Sequence, residues 1–430
     1  MRTRFTWMMA VLALVSIGFV VACSTKYSSS SNGLVVVPIR DSPVMETFSI
    51  DLSNGHASQI NNVDGPPIAG LPSSVILDPA GAFAYVLISQ NPGIANTLTG
   101  IEAFQVGSDG KLAAGTTTSL NGAVFMSPTA GCESVPVTPV AMAMDSAGKF
   151  LFVANSATSD GIGNSVPGSV SVFAISGGSL TEVNPVSCTD ATILGSPFPL
   201  TLQPGGTTPS ASALAVTPTV FPAQFAPCSV VGPPTTENLY VTDSVNNQLF
   251  NFTVDSSGNL SLVLTGTNPI LTGTLPSGVT VDPCNRFVYV ANFQTNNVSA
   301  YTICAKPSAT CPLADYSLQS VPGSPYSTGD GPGPITVDAY AGFLYVVATG
   351  ASEVSEFRIG SATGALTSIG TAATNVGANS IAIRSDDSFL FVANSTSANV
   401  SQFAITPASG TLTLQTAITT LNLPSGVAVK

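Results

Sequence analysis

Charge is scarce in this sequence. Only 8% of its 430 residues are Asp, Glu, Lys or Arg, where an average soluble domain has about 25%. Lys and Arg together number 11, and there is a single histidine, His56. These shortages exclude whole classes of function. A nucleic-acid-binding surface needs clustered cations, and a net charge of −12 opposes one. A Ser-His-Asp hydrolase or a histidine metal centre has one imidazole to draw on, and His56 sits in a polar turn after Asn54-Gly55. No CxxC pair, Gly-rich phosphate loop or EF-hand pattern occurs, so no metal or cofactor is expected. Solubility must rest on Ser, Thr, Asn and Gly. The 39 Gly and 32 Pro are spread through turns and do not form a disordered tract.

The N-terminus reads as a targeting segment. Arg2 and Arg4 precede an apolar run from Met8 to Ala22, shorter than a membrane-spanning helix needs. The run ends Val20-Val21-Ala22-Cys23, which resembles a bacterial lipobox with Val in place of the usual first Leu. That resemblance implies a signal peptide over 1–22, lipidation of Cys23, a Ser-rich tether over 23–33 and a lipid anchor in the cell envelope. Ser24 resembles an outer-membrane sorting signal. Loss of Arg2 and Arg4 leaves nine cations against 23 anions, a net charge of −14, so the lipid alone would hold the membrane.

What the sequence has in plenty is a repeated strand. Phe287-Val288-Tyr289-Val290-Ala291-Asn292 returns as Phe389–Asn394 and Phe150–Asn155, and more loosely at 83–86, 238–243 and 343–346. Each is a β-branched and aromatic run ending in a turn-former. A short apolar strand precedes each copy, and an alternating strand such as Asn297–Ile303 and a Gly turn with a fourth strand follow. One unit is therefore four antiparallel strands, a to d. Strand a ends at Asp78, Asp145, Thr217, Asp282, Asp338 and Arg384 in successive units. The separation is shortest between Asp338 and Arg384 and longest between Asp145 and Thr217, where loops are inserted. Such units are blades of a β-propeller. A lone strand a ends the chain, at 424–430, and strands b to d open it from Leu34. Joining them makes a seventh blade and closes the ring, so 34–430 is expected to be an all-β, seven-bladed propeller.

Propeller geometry places b–c and d–a loops on one face, the top, and a–b and c–d loops on the bottom. The six cysteines after Cys23 then pair by face as Cys132–Cys188, Cys228–Cys284 and Cys304–Cys311. The Asp residues ending strand a read as hairpin formers, and Tyr289 and Phe391 as core.

The pattern Asp-Pro-x-Gly-x-Phe-x-Tyr-Val-Ala-Asn followed by Asn-Val-Ser-Ala-Tyr resembles the YVTN and lactonase-type seven-bladed propellers, as do Gly195-Ser196-Pro197-Phe198 and Gly323-Ser324-Pro325-Tyr326. The family's best-known activity is 6-phosphogluconolactonase. The matching residues are mostly core and turn residues, which carry the fold and not the chemistry. Candidate ligand-binding residues are Arg40 and Asp41 in a top loop and the strand-b termini Asn155, Asp243, Asn292 and Asn394, whose other reading is as turn caps. Only Arg40 among the cations falls on the top face. The expectation is a monomeric binding or scaffold module for an envelope protein, peptide or glycan, with lactone hydrolysis as the alternative.

Overall fold

The computed structural model describes residues 32–60, 65–89, 99–120, 123–127, 131–159, 163–185, 195–200, 207–218, 237–264, 267–305, 311 and 315–430. No helix occurs among them. Seven antiparallel sheets of four or five strands follow one another around a central channel. We number them from the composite blade. Blade 1 joins Ala428–Val429 to Asn32–Ile39, Val44–Asp51 and Ala57–Gln59. The innermost strands of blades 2 to 7 are Leu71–Leu77, Thr138–Met144, Ala211–Val216, Pro276–Val281, Pro332–Val337 and Ala378–Ile383.

Ring closure is as expected. Val35 pairs with Val429 and Val36 with Ala428, and Lys430 N donates to Leu34 O at 2.9 Å. The first strand begins at Asn32, two residues before the expected boundary, because Asn32 and Gly33 pair with Asp51 and Ile50. In blades 3, 4, 5 and 7 the outer strand is split. A short upper piece, such as Phe198–Pro199 or Tyr326–Ser327, pairs separately with strand c. At the break the Gly-Ser-Pro segments act as plugs, Ser196 Oγ accepting from Val172 N and Ser324 Oγ from Ala300 N, both at 2.9 Å.

The buried apolar residues form seven clusters, each spanning one junction between neighbouring blades. One device recurs at the bottom of these junctions. The first apolar residue of strand b lies against a glycine in the c–d turn of the next blade. The pairs are Leu34 on Gly110, Phe83 on Gly178, Phe150 on Gly258, Phe287 on Gly364, Phe343 on Gly410 and Phe389 on Gly55. All six glycines have positive φ, so both the turn and the close approach call for a residue without Cβ. Tyr289 and Tyr345 extend the contact, their hydroxyls donating to Gly364 O and Gly410 O at 3.1 and 2.8 Å.

The junction from blade 4 to blade 5 departs from this pattern on both sides. Asn238 replaces the phenylalanine, and the facing turn is the loop closed by Cys304–Cys311, with an S–S distance of 2.02 Å. Asn238 donates to Asn251 Oδ1 at 3.0 Å, and Asn251 Nδ2 donates to Tyr316 O at 2.7 Å. A polar relay thus stands in for the ring-on-glycine contact. Cys284 is also disulfide-bonded. Its expected partner Cys228, and Cys188, lie outside the described residues, as does the side chain of Cys132.

The hairpin-forming role of the strand-a aspartates is visible directly. Asp78, Asp145, Asp282 and Asp338 each accept two backbone N–H bonds across the a–b turn, at 2.5 to 3.0 Å. Thr217 Oγ1 does the same work for Asn238 N at 2.8 Å.

Candidate functional site: the mouth of the central channel

The inner strands enclose a channel of about 630 Å³. Its described wall is built from aliphatic side chains and small polar ones, among them Ser73, Ser277, Thr336, Asn379, Ser380 and Ser425. The only ionisable residues in that wall are Asp78 and Lys430, both at the bottom.

A β-bulge shapes the upper wall. Near the top of the inner strand the pairing slips by one residue in blades 2 to 7, at Ser73, Val140, Ser212, Ser277, Gly333-Pro334 and Asn379. Blade 1 has the same slip, since Ile39 meets Pro424 while Val36 meets Ala428. A bulge re-aims the side chain it carries, and here it creates links between blades. Ser212 Oγ donates to Pro276 O at 2.6 Å, Ser277 Oγ to Pro332 O at 2.8 Å and Asn379 Nδ2 to Pro424 O at 3.0 Å. These residues were not singled out from sequence. The signal available was the threefold Leu-Pro-Ser, at 71–73, 275–277 and 423–425.

The expected site residues do not come together. Asn155, Asp243, Asn292 and Asn394 are fully buried at the tops of four different blades, and none lines the channel. Asn292 Nδ2 donates to Asn297 Oδ1 and Ser299 Oγ, and Asn394 Nδ2 to Asn399 Oδ1 and Ser401 Oγ. Asn155 Nδ2 donates to Ser169 and Ser171. Asp243 Oδ1 accepts from Ser210 N and Val245 N. All four therefore brace their own b–c turns. Arg40 and Asp41 are exposed on the top rim, where Arg40 N donates to Leu423 O at 3.0 Å. Among the described residues Arg40 enters no ion pair.

Five of the six other described cations are engaged at the bottom. Lys149 lies over Phe150, Arg286 over Phe287 and Arg358 over Phe343. Each also donates to a carbonyl of the next blade, Ser256, Ser361 and Ala408 respectively. Arg384 pairs with Asp386 and Lys111 with Asp109. His56 is an exposed c–d turn residue, its Nδ1 3.4 Å from Ser58 Oγ. No group of three or more His, Cys, Asp or Glu among the described residues could hold a metal ion.

Burial raises the pKa of several carboxyls at the bottom, away from the mouth, Asp387 and Glu237 among them. Burial, with a contribution from the neighbouring Asp338 charge, pushes Asp387 up to about 6. Burial, and then the Asp145 charge, pushes Glu237 up to about 8 against the opposing pull of Lys149. A raised folded-state pKa leaves stability intact below the unfolded value near 4 and removes it as pH rises through the folded value. Stability should therefore fall between about pH 5 and pH 8, each group contributing on the order of 1–2 kcal/mol after solvent screening. Denaturant midpoints across that range should show the decline, and Asp387→Asn should flatten its lower part. A midpoint that rises with pH would contradict this.

With this geometry in hand, comparison with known proteins identifies the family. The model of the lactonase family, described as a seven-bladed β-propeller, matches residues 166–317 and 308–430. The chain belongs to the lactonase family of seven-bladed β-propellers. Among solved structures, a candidate 6-phosphogluconolactonase from Bacteroides fragilis superposes with a TM-score of 0.65 at 19% identity, covering 94% of this chain and 100% of its own. A second from Bacteroides uniformis gives 0.66 at 16%, covering 93% and 100%. The periplasmic gluconolactonase of Pseudomonas aeruginosa gives 0.65 at 16%, covering 93% and 99%. At these identities the likeness is one of fold. No curated protein matches this lactonase-family chain by sequence.

Proposed function

We propose that this lactonase-family propeller binds an uncharged small molecule at the top of its channel and does not hydrolyse it. The observation that carries the reading is the composition of the described wall, which has hydroxyls, an amide and aliphatic groups but no ionisable side chain in its upper part. Lactone hydrolysis needs a base or a metal to activate water and donors for the oxyanion. A phosphorylated lactone also needs cations, and Arg40 alone stands on the described top face. A pocket of this size, lined about equally by polar and apolar groups and uncharged in its upper part, suits a neutral ligand.

Family membership favours a second reading, a lactone hydrolase. Purified protein mixed with glucono-1,5-lactone and with its 6-phosphate separates the two. Under the binding reading neither lactone opens faster than in buffer. Turnover of the neutral lactone would support the hydrolase reading, and turnover of the phosphate that is lost in Arg40→Ala would overturn the charge argument as well.

The lipobox-like segment motivates the companion proposal that Cys23 carries a lipid and that the ring is displayed at the bacterial outer membrane. Labelled palmitate should enter the wild-type chain and be absent from Cys23→Ala. Equal labelling of both would remove the anchor.

A further inference from the structure

The backbone at the rim of the channel adds detail to that reading. One position, just before the inner strand, is marked in blades 1, 4, 5, 6 and 7 by the same hydrogen bond from the first residue of the b–c loop, and in all of these but blade 4, where it is Ser210, its backbone is left-handed. In blade 6 it is Gly331, accepting from Thr349 N, and in blade 7 it is Gly377, accepting from Ser395 N. Both glycines are left-handed, with φ of 61° and 84°. In blades 5 and 1 the same position is held by leucine. Leu275 accepts from Phe293 N and Leu423 from Arg40 N, and both have φ of 56°.

A leucine in this conformation costs roughly 1–2 kcal/mol relative to glycine. Eight of the other nine non-glycine residues with positive φ are Asn, Asp, Ser or Ala, which tolerate it better or are small. Burial does not compensate here, because Leu275 and Leu423 remain 40% and 41% exposed. Both lie two residues from serines of the channel wall, Ser277 and Ser425. Other exposed apolar side chains join them on the top face. Phe293, 42% exposed, has its ring over Gly331, and Val376, 57% exposed, precedes Gly377.

Backbone hydrogen bonds hold the conformation, Leu275 N also donating to Asn247 Oδ1 at 2.8 Å, but neither leucine side chain gains burial from it, which points to a contact the free protein does not make. Resting on the proposed channel-mouth site, we propose that Leu275 and Leu423 grip the alkyl or aryl part of an uncharged ligand whose polar part enters the hydroxyl-lined channel. The preferred ligand class is thereby a neutral amphiphile, such as an alkyl-substituted lactone, bound more tightly than a polyhydroxylated sugar lactone.

Calorimetric titration with δ-decalactone and with glucono-1,5-lactone, on wild type and on the Leu275→Gly/Leu423→Gly double variant, tests this. Glycine suits the left-handed backbone, so the double variant should melt at or above the wild-type temperature. Wild type should bind decalactone about tenfold or more tightly than gluconolactone, and that advantage should fall about tenfold in the variant. Gluconolactone binding with no gain from the alkyl chain would overturn the apolar grip and leave the channel-mouth site standing. Binding of neither lactone would overturn both. A variant that melts lower would make the leucines structural. Wild-type dimerisation that the variant loses would assign them to a second copy of the chain. Either result would contradict the proposal.

Discussion

Removing residues 424–430 opens the ring and abolishes cooperative unfolding. The segment supplies the innermost strand of blade 1 and buries Val427 and Ala428. Its loss leaves the edge of Asn32–Ile39 unpaired, including the backbone bonds between Leu34 and Lys430 and from Ser425 N to Pro38 O. It also removes Pro424 O, which receives Asn379 from blade 7. Each lost side chain and exposed edge group contributes on the order of 1–3 kcal/mol. Their sum is comparable with the whole stability of a typical domain, about 5–15 kcal/mol. The exposed edge would also be open to pairing between molecules. Thermal and denaturant unfolding of the truncated chain should show a broad transition or aggregation. A sharp transition at the wild-type midpoint would mean that closure carries little of the stability.

Gly410→Ala should destabilise the junction between blades 6 and 7 by more than its backbone strain alone. A Cβ on Gly410 would stand 2.2 Å from Cδ1 of Phe343, a buried ring with little room to move. The residue also has φ of 75°. The left-handed backbone costs roughly 1–2 kcal/mol and the overpacking roughly 1–3 kcal/mol more, about 3 kcal/mol together. Gly177→Ala separates the two contributions, because Gly177 has φ of 55° and nothing within 4 Å of a Cβ. It should lose only the backbone share. Equal destabilisation of the two variants, measured by denaturant midpoint, would show that the ring-on-glycine contact does not hold the blades together.

The fold was legible in the sequence because its signal is repeated and periodic. The strand-b copies at Phe150, Phe287 and Phe389 combine β-branched and aromatic residues with a terminal Asn, and orphan strands at the two ends require each other. The aspartates at 78, 145, 282 and 338 could be assigned to turns because an Asp-to-backbone bond is local. Other features are set by tertiary contact and leave no period in the sequence. The bulges at Ser73, Ser277 and Asn379 depend on pairing register. The split outer strands depend on where Ser196 and Ser324 intrude. The hairpin of 123–127 with 131–135 lies in a segment read only as a long insertion.

The site was less legible, for a related reason. Asn155, Asn292 and Asn394 stand out in sequence because they end the repeat, yet in the structure their side chains are buried and their amide Nδ2 groups donate to the adjacent serines and asparagines of strand c. Leu275 and Leu423 look unremarkable as residue types. They become informative only through a backbone angle that Gly331 and Gly377 share.

The most direct test of an uncharged ligand at the channel mouth is a paired titration of the purified protein with glucono-1,5-lactone and with its 6-phosphate, at low and at high salt. The predicted result is measurable heat for the neutral lactone with little salt dependence, and weaker or absent binding of the phosphate, since one exposed Arg40 on a protein of net charge −12 offers too little attraction. Tighter binding of the phosphate that weakens steeply with salt would contradict it.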